Sequence, residues 1–215
     1  MAGITLLDYG MCNMLNVVRA FEHVGAELTV TDDPREARRA DRLVVPGVGA
    51  FSDSMLEIHR RGHSDAIKEF VATGRPLFGI CVGMQVLFEG SEEFGPTEGL
   101  GLLPGWVRSV PAVTTQGIQQ RLPHIGWDHL LLPIETDRSW DGTILQPFIQ
   151  TNPAVYFVHT FCAVPTDPSI RLADCEYGGH RICAAVTRDN IVATQFHPER
   201  SGEVGLKALR QFIEL

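Results

Sequence analysis

Apolar and polar positions change period along this chain, and the changes mark its elements. Residues 4–7 are a short apolar run ended by Asp8-Tyr9-Gly10, which predicts a strand. Over 13–24 the apolar residues Leu15, Val18 and Phe21 recur at helical spacing. Residues 27–31 predict a second strand, and 34–40 a short helix capped by Asp32 or Asp33. Residues 42–45 form a third apolar strand, closed by Pro46-Gly47-Val48-Gly49. Helices are expected over 52–59 and 64–73. The strand over 76–80 then delivers Cys81, and a further helix is expected from just after Gly83 to about Phe88.

Strands alternating with helices imply an α/β fold: a doubly wound, mostly parallel sheet with helices on both faces. From Leu100 the rhythm changes. Strand-like pieces over 106–110, 156–163, 182–187 and 191–195 are separated by turn-rich loops, which predicts an antiparallel C-terminal portion. Arg188-Asp189-Asn190 has the residue types of a hairpin turn. Residues 135–153 read as a long loop and 201–214 as a closing helix. The pattern contains neither repeats nor linkers, so residues 1–215 are read as one domain.

The strand entering Gly79-Ile80-Cys81-Val82-Gly83 carries the first chemical signal. Glycines two residues either side of a cysteine leave room for a sharp strand-to-helix bend, the mechanics of a nucleophile elbow with sulfur in place of a hydroxyl. At the start of a helix, the partial positive charge favours the thiolate. A lone cysteine is more often a core residue. Gln195-Phe196-His197-Pro198-Glu199 adds the missing partners. A nucleophilic cysteine needs a base, and the base needs an orienting group. Two residues apart on an extended segment, His197 and Glu199 point the same way, and Pro198 stiffens the link.

The glycines of Pro46-Gly47-Val48-Gly49 follow a strand, where doubly wound sheets bind their ligands. A tetrahedral intermediate on Cys81 needs two N–H donors. The amide of Val82 is the natural first, and an amide around Val48 or Gly49 the second. The same glycines also suit a plain strand-to-helix turn. No G-K-[ST] follows them, which excludes a Walker A loop.

Composition narrows the function classes. A net charge of −8 provides no basic stripe for phosphates, so nucleic acid is not an expected partner. No run is apolar enough to span a bilayer, so no membrane is expected. The first residues lack a basic n-region and give no sign of a signal peptide. Five cysteines without framework spacing suggest reduced thiols and a cytoplasmic location. No metal site and no cofactor are expected, since only His180 lies near Cys175 and Cys183.

Taken together these motifs resemble the class I (triad) glutamine amidotransferases, a flavodoxin-like fold class. Among these, the chain is most similar to the glutaminase subunits of imidazole glycerol-phosphate synthases. Asp8-Tyr9-Gly10-Met11, Pro46-Gly47-Val48-Gly49-Ala50-Phe51, Pro123-His124-Ile125-Gly126-Trp127 and Tyr156-Phe157-Val158-His159 match them in order and approximate spacing. The resemblance covers nearly the whole chain. It implies that Cys81 attacks the amide of glutamine, that His197 protonates the departing ammonia, and that water releases glutamate from a thioester. It implies glutamine binding by Gly47, Gln85, Glu93 and the His159-Thr160-Phe161 segment. It also implies that Met11, Asn13, His124, Gly126, Trp127 and Asp128 face the ammonia path or a partner. That partner would be a (β/α)8-barrel cyclase, forming a heterodimer that makes imidazole glycerol phosphate in histidine biosynthesis. The alternative is a paralogous subunit that supplies ammonia to another synthase, such as one that aminates a surface sugar. An independent amidase or peptidase and a non-enzymatic regulator are the other classes. An intact Cys81, His197 and Glu199 argue against the regulator. Cys12 replaces a usual glycine, Asp128 a usual asparagine, and Thr160-Phe161-Cys162 a usual Ser-Tyr-Tyr.

Overall fold

The computed structural model describes residues 3–134 and 136–215. Met1, Ala2 and Glu135, the first residue of the expected long loop, lie outside the described residues. The first half alternates as its sequence pattern dictates. Strand β1 (Ile4–Leu7) is followed by α1 (Met14–His23), β2 (Leu28–Thr31), α2 (Pro34–Arg39), β3 (Arg42–Gly47), α3 (Phe51–Arg60), α4 (His63–Ala72), β4 (Leu77–Cys81) and α5 (Val82–Gln85). Helix α2 is capped as expected, with the Asp33 carboxylate accepting the amide of Arg35.

The second half is built almost wholly from strands: β5 (Phe88–Ser91), β6 (Thr97–Glu98), β7 (Leu103–Ser109), β8 (His124–His129), β9 (Ala154–His159), β10 (Phe161–Pro165), β11 (Arg171–Tyr177), β12 (His180–Arg188) and β13 (Ile191–Thr194). Helix α6 (Gly202–Glu214) closes the chain. The main sheet has the order β11-β12-β13-β4-β3-β1-β2. Its strands β2, β1, β3, β4 and β13 run parallel, and β11 and β12 add an antiparallel edge. Covered on both faces, β3 and β4 are apolar without alternation: Leu43, Val44, Val45, Leu77 and Phe78 are wholly buried. Burial of each such side chain contributes about 1.5–3 kcal/mol. Asp189 takes a positive φ of 51° in the turn joining β12 to β13.

Three differences from the sequence pattern have physical causes. Helix α5 begins at Val82, before Gly83, and stops at Gln85 rather than reaching Phe88. The carbonyls of Val86, Leu87 and Phe88 are taken by the amides of Leu100, Leu102, Leu103 and Gly101. A continuing helix would need those acceptors, so the chain turns into β5 instead. Residues 156–163 are two strands, not one. β9 pairs with β8 and β10 with β7, and the carbonyl of Thr160 between them accepts the amide of Val110. The described part of the expected loop after Ile134 buries Trp140, Ile144, Leu145 and Phe148 and contains a short 3-10 turn at Gln146–Phe148.

Candidate active site

Parallel pairing of β3 with β4 sets Gly47 opposite Cys81 at the carboxyl end of the sheet. Cys81 adopts φ 55° and ψ −112°, a backbone conformation that a residue with a side chain holds only when its surroundings enforce it. The two flanking glycines show what enforces it. A Cβ on Gly83 would run into the carbonyl of Val45, and one on Gly79 would lie 2.8 Å from the carbonyl of Gly83. The glycines let α5 press directly onto β3 and β4, and the strain falls on Cys81. Gly47 belongs to the same packing, since its Cβ would meet the Tyr9 hydroxyl and lie 2.7 Å from the amide of Gly83.

His197 follows β13 and is fixed through its backbone. Its amide donates to the carbonyl of Tyr156, and its own carbonyl accepts the hydroxyl of Ser201 at 2.7 Å. Nδ1 lies 2.7 Å from Oε1 of Glu199, with both side chains almost completely buried. A carboxylate beside Nδ1 places the proton there and leaves Nε2 for the thiol. Nε2 makes no hydrogen bond of ordinary geometry, yet Cys81 is close enough to act on the ring. Burial works against the charged imidazole. The hydrogen bonding and charge of Cys81 and Glu199 outweigh it and push His197 up to about 10. A contact that is near but not yet aligned is common in unliganded sites.

A third side chain, given no role by the sequence reading, also reaches the sulfur. Nε2 of Gln195 lies 3.6 Å from Sγ of Cys81, and its Oε1 accepts Nε2 of Gln85 at 3.0 Å. Gln195 and His197 are two residues apart on an extended segment, so the alternation that predicted His197 beside Glu199 also aims Gln195 at Cys81.

A pocket of about 280 Å³ opens over the sulfur, walled by Val48, Gly49, Val82, Gln85 and Glu93, and on its far side by His159, Thr160 and Phe161. Both hydrogens of Gln85 Nε2 have acceptors, the second being the carbonyl of Phe161 at 3.0 Å. The Glu93 carboxylate accepts the first amide of α3, that of Phe51, at 2.8 Å. The amide of Val48 points elsewhere. It donates to the carbonyl of Met11 at 2.9 Å, while Gly49 sits at φ 93°. The expected Val48 oxyanion donor is therefore turned away from Cys81 in this conformation. Asn13 lines a small void of about 10 Å³ beside Gly47, His197 and Glu199.

The hairpin of β8 and β9 forms the rim. His124 is buried, whereas Ile125 and Trp127 are more than half exposed, and Trp127 meets the edge of Tyr156. Gly126 lies between them, and Asp128 reaches back to His124 at 2.5 Å. Cys12 is not drawn into the pocket. Its thiol faces Asp8, and burial together with that carboxylate pushes it up to about 12. Among the described residues no group of three His, Cys, Asp or Glu side chains could hold a metal ion, and no helix is long and apolar enough to cross a membrane.

Comparison with known proteins agrees with this geometry at the level of family. Residues 5–215 match the family model of the class-I glutamine amidotransferases. The chain is 45% identical over 215 residues to imidazole glycerol phosphate synthase subunit HisH 1 of Legionella pneumophila (strain Lens), covering all of both chains. It is 44% identical over 213 residues to subunit HisH of Syntrophotalea carbinolica, covering 99% of this chain and 100% of that one. Among solved structures, a chain of PurLQS from Thermotoga maritima superposes with a TM-score of 0.70 at 20% identity, covering 100% of this chain and 99% of that one. That last likeness speaks to the fold alone.

Proposed function

The chain belongs to the class-I glutamine amidotransferases, and we propose that it is the glutaminase subunit of an imidazole glycerol phosphate synthase, supplying ammonia in histidine biosynthesis. The observation that carries this reading is that Cys81 and His197 line one pocket while Glu199 holds the other nitrogen of His197. The full-length match to HisH subunits supports the pathway.

In this reading His197 already holds the thiol proton, and the Cys81 sulfur attacks the side-chain carbonyl carbon of glutamine. The tetrahedral oxyanion is held by the amide of Val82 and by that of Val48 or Gly49. The carbon–nitrogen bond breaks as His197 returns the proton to the departing ammonia, leaving a glutamyl thioester. Water, deprotonated by His197, then attacks the thioester. Glutamate leaves and the thiol is restored. Glu199 keeps the imidazole in the required tautomer and stabilises its charged form. Because both Nε2 hydrogens of Gln85 are committed, its Oε1 is the atom left to accept the substrate's ammonium group, alongside the Glu93 carboxylate. The Thr160-Phe161 backbone completes the cradle.

The ammonia acceptor is a (β/α)8-barrel cyclase subunit, docked over the exposed Ile125 and Trp127 with Met11, Asn13, His124, Gly126 and Asp128 toward the ammonia path. Five free cysteines fit a reducing cytoplasm. The test is glutamate release by the full chain, alone and with the barrel subunit, compared with the Cys81→Ala chain. The reading requires hydrolysis that depends on Cys81 and rises when the partner binds.

A further inference from the structure

A line of hydrogen bonds joins the rim of the β8–β9 hairpin to the nucleophile, and its outer members, Asp128, His124 and His159, take no part in the chemical steps above. Oδ2 of Asp128 lies 2.5 Å from Nε2 of His124. Nδ1 of His124 lies 3.1 Å from Nε2 of His159, and Nδ1 of His159 lies 2.9 Å from the carbonyl oxygen of Phe161. That same oxygen accepts Nε2 of Gln85, which also donates to Gln195, which in turn donates to the sulfur of Cys81. The members come from β8, β9, β10, α5 and the segment after β13, so five separate elements meet along it.

The chemistry of each group fixes the direction of nearly every proton. A carbonyl only accepts, so Nδ1 of His159 carries hydrogen. Burial pushes His159 down to about 3, which keeps the ring neutral and leaves its Nε2 as an acceptor. His124 must then donate from Nδ1. Its other nitrogen, Nε2, faces the half-exposed Asp128 carboxyl at 2.5 Å. Inward of the Phe161 carbonyl the order is equally forced. Turning over the amide of Gln85 would set its oxygen against the Phe161 oxygen and the Gln195 oxygen, and Gln195 would then lose the partner that makes it present N–H to sulfur.

On the reading of Cys81 as nucleophile, we propose that Asp128, His124 and His159 are positioning residues that hold the Phe161 carbonyl, and through it Gln85 and Gln195, in the arrangement that aims an N–H at the Cys81 sulfur. The Asp128–His124 bond anchors the outer end of the line, and the rim adjoins the exposed Ile125 and Trp127. His124 is otherwise enclosed by rings: Tyr177 stacks on it at 4.1 Å, Phe157 at 5.0 Å, and Tyr177 is itself held by the carbonyl of Arg121. The ionisable groups that bear on the line are Asp128, His159 and Tyr177, with Cys175 facing Asp128 and His197 facing His159.

The experiment compares Asp128→Ala and Asp128→Asn in the full chain, with and without the barrel subunit, by glutamine kinetics and by imidazole nitrogen NMR. Asn can donate its amide hydrogen to Nε2 of His124 and so keep the outer end of the line anchored, whereas Ala cannot. We expect Asp128→Ala to keep the wild-type melting temperature but to lower kcat roughly tenfold with KM within about twofold, as a displaced group near a reacting atom does. Asp128→Asn should return kcat to within about threefold of wild type by the same argument. In the spectra, Nε2 of His124 should be hydrogen-bonded in wild type and in Asp128→Asn and should lose that bond in Asp128→Ala, while His159 keeps its hydrogen on Nδ1 in all three because the Phe161 carbonyl requires it. A wild-type kcat in Asp128→Ala, equal losses in Ala and Asn, or a His124 Nε2 signal that does not respond to Asp128→Ala would overturn the proposal. Failure of the glutaminase reading shows differently: wild type and Cys81→Ala would then release glutamate alike, while the spectra still report on the line.

Discussion

Val48 donates its amide hydrogen to the carbonyl of Met11 at 2.9 Å, which turns one of the two proposed oxyanion donors away from Cys81. For Val48 to serve as the second donor its peptide must rotate, and Gly49, already at φ 93°, supplies the backbone freedom. Loss of one oxyanion donor costs on the order of 100- to 1,000-fold in kcat. The isolated chain should therefore hydrolyse glutamine slowly, and the barrel subunit with its own ligand bound should raise kcat by about that factor, measured as glutamate release. A full rate without the partner would contradict this resting state.

Gly83 has no room for a methyl group because the carbonyl of Val45 occupies the place of its Cβ. Gly83→Ala should push α5 off β3 and relax the strained backbone of Cys81. The expected loss is about 1–3 kcal/mol of unfolding free energy in denaturant titration, accompanied by loss of glutaminase activity. The Gly3→Ala chain is the control for substitution as such, since a Cβ there meets only the carbonyl of Glu27 at 3.8 Å and the backbone needs no positive φ.

Against the effect of its burial, Cys81 and Glu199 together push His197 up to about 10 in the folded chain, against about 6.5 in an unfolded one. The stability contributed by that proton is complete below about pH 6.5 and declines as the pH rises toward 10. Unfolding free energy measured between these limits should fall with rising pH, and the fall should shrink in Glu199→Gln, which removes the carboxylate from Nδ1. Equal slopes in both chains would show that Glu199 does not hold the proton on His197.

Gln195 donates to the sulfur at 3.6 Å from a fully buried position. Gln195→Leu should lower kcat about tenfold while KM changes little, because the donor acts on developing charge at sulfur and not on bound substrate. A change confined to KM would place Gln195 in substrate binding instead.

The sequence made the parallel half legible because period and caps there are local properties: β1, β3, β4 and the cap of α2 all follow from neighbouring residues. Cys81 stood out for the same reason, with its glycines at fixed offsets. The end of α5 was hidden, since it depends on amides of residues 100–103 arriving at the carbonyls of 86–88. His124 meets His159 through antiparallel register between strands 35 residues apart, and a linear reading contains no trace of that pairing. Gln195 lay within reach, because it shares the face of His197, but its partner Gln85 is 110 positions away. Replacement of asparagine by Asp128 was visible in the resemblance, and its meaning needed the 2.5 Å contact with His124.

The most direct test of the central claim is glutamate release by the Cys81→Ala chain in complex with the barrel subunit. The account predicts that the complex forms as it does with the unaltered chain and that no glutamate is released above the uncatalysed rate. Glutamate release at the unaltered rate by that complex would contradict it.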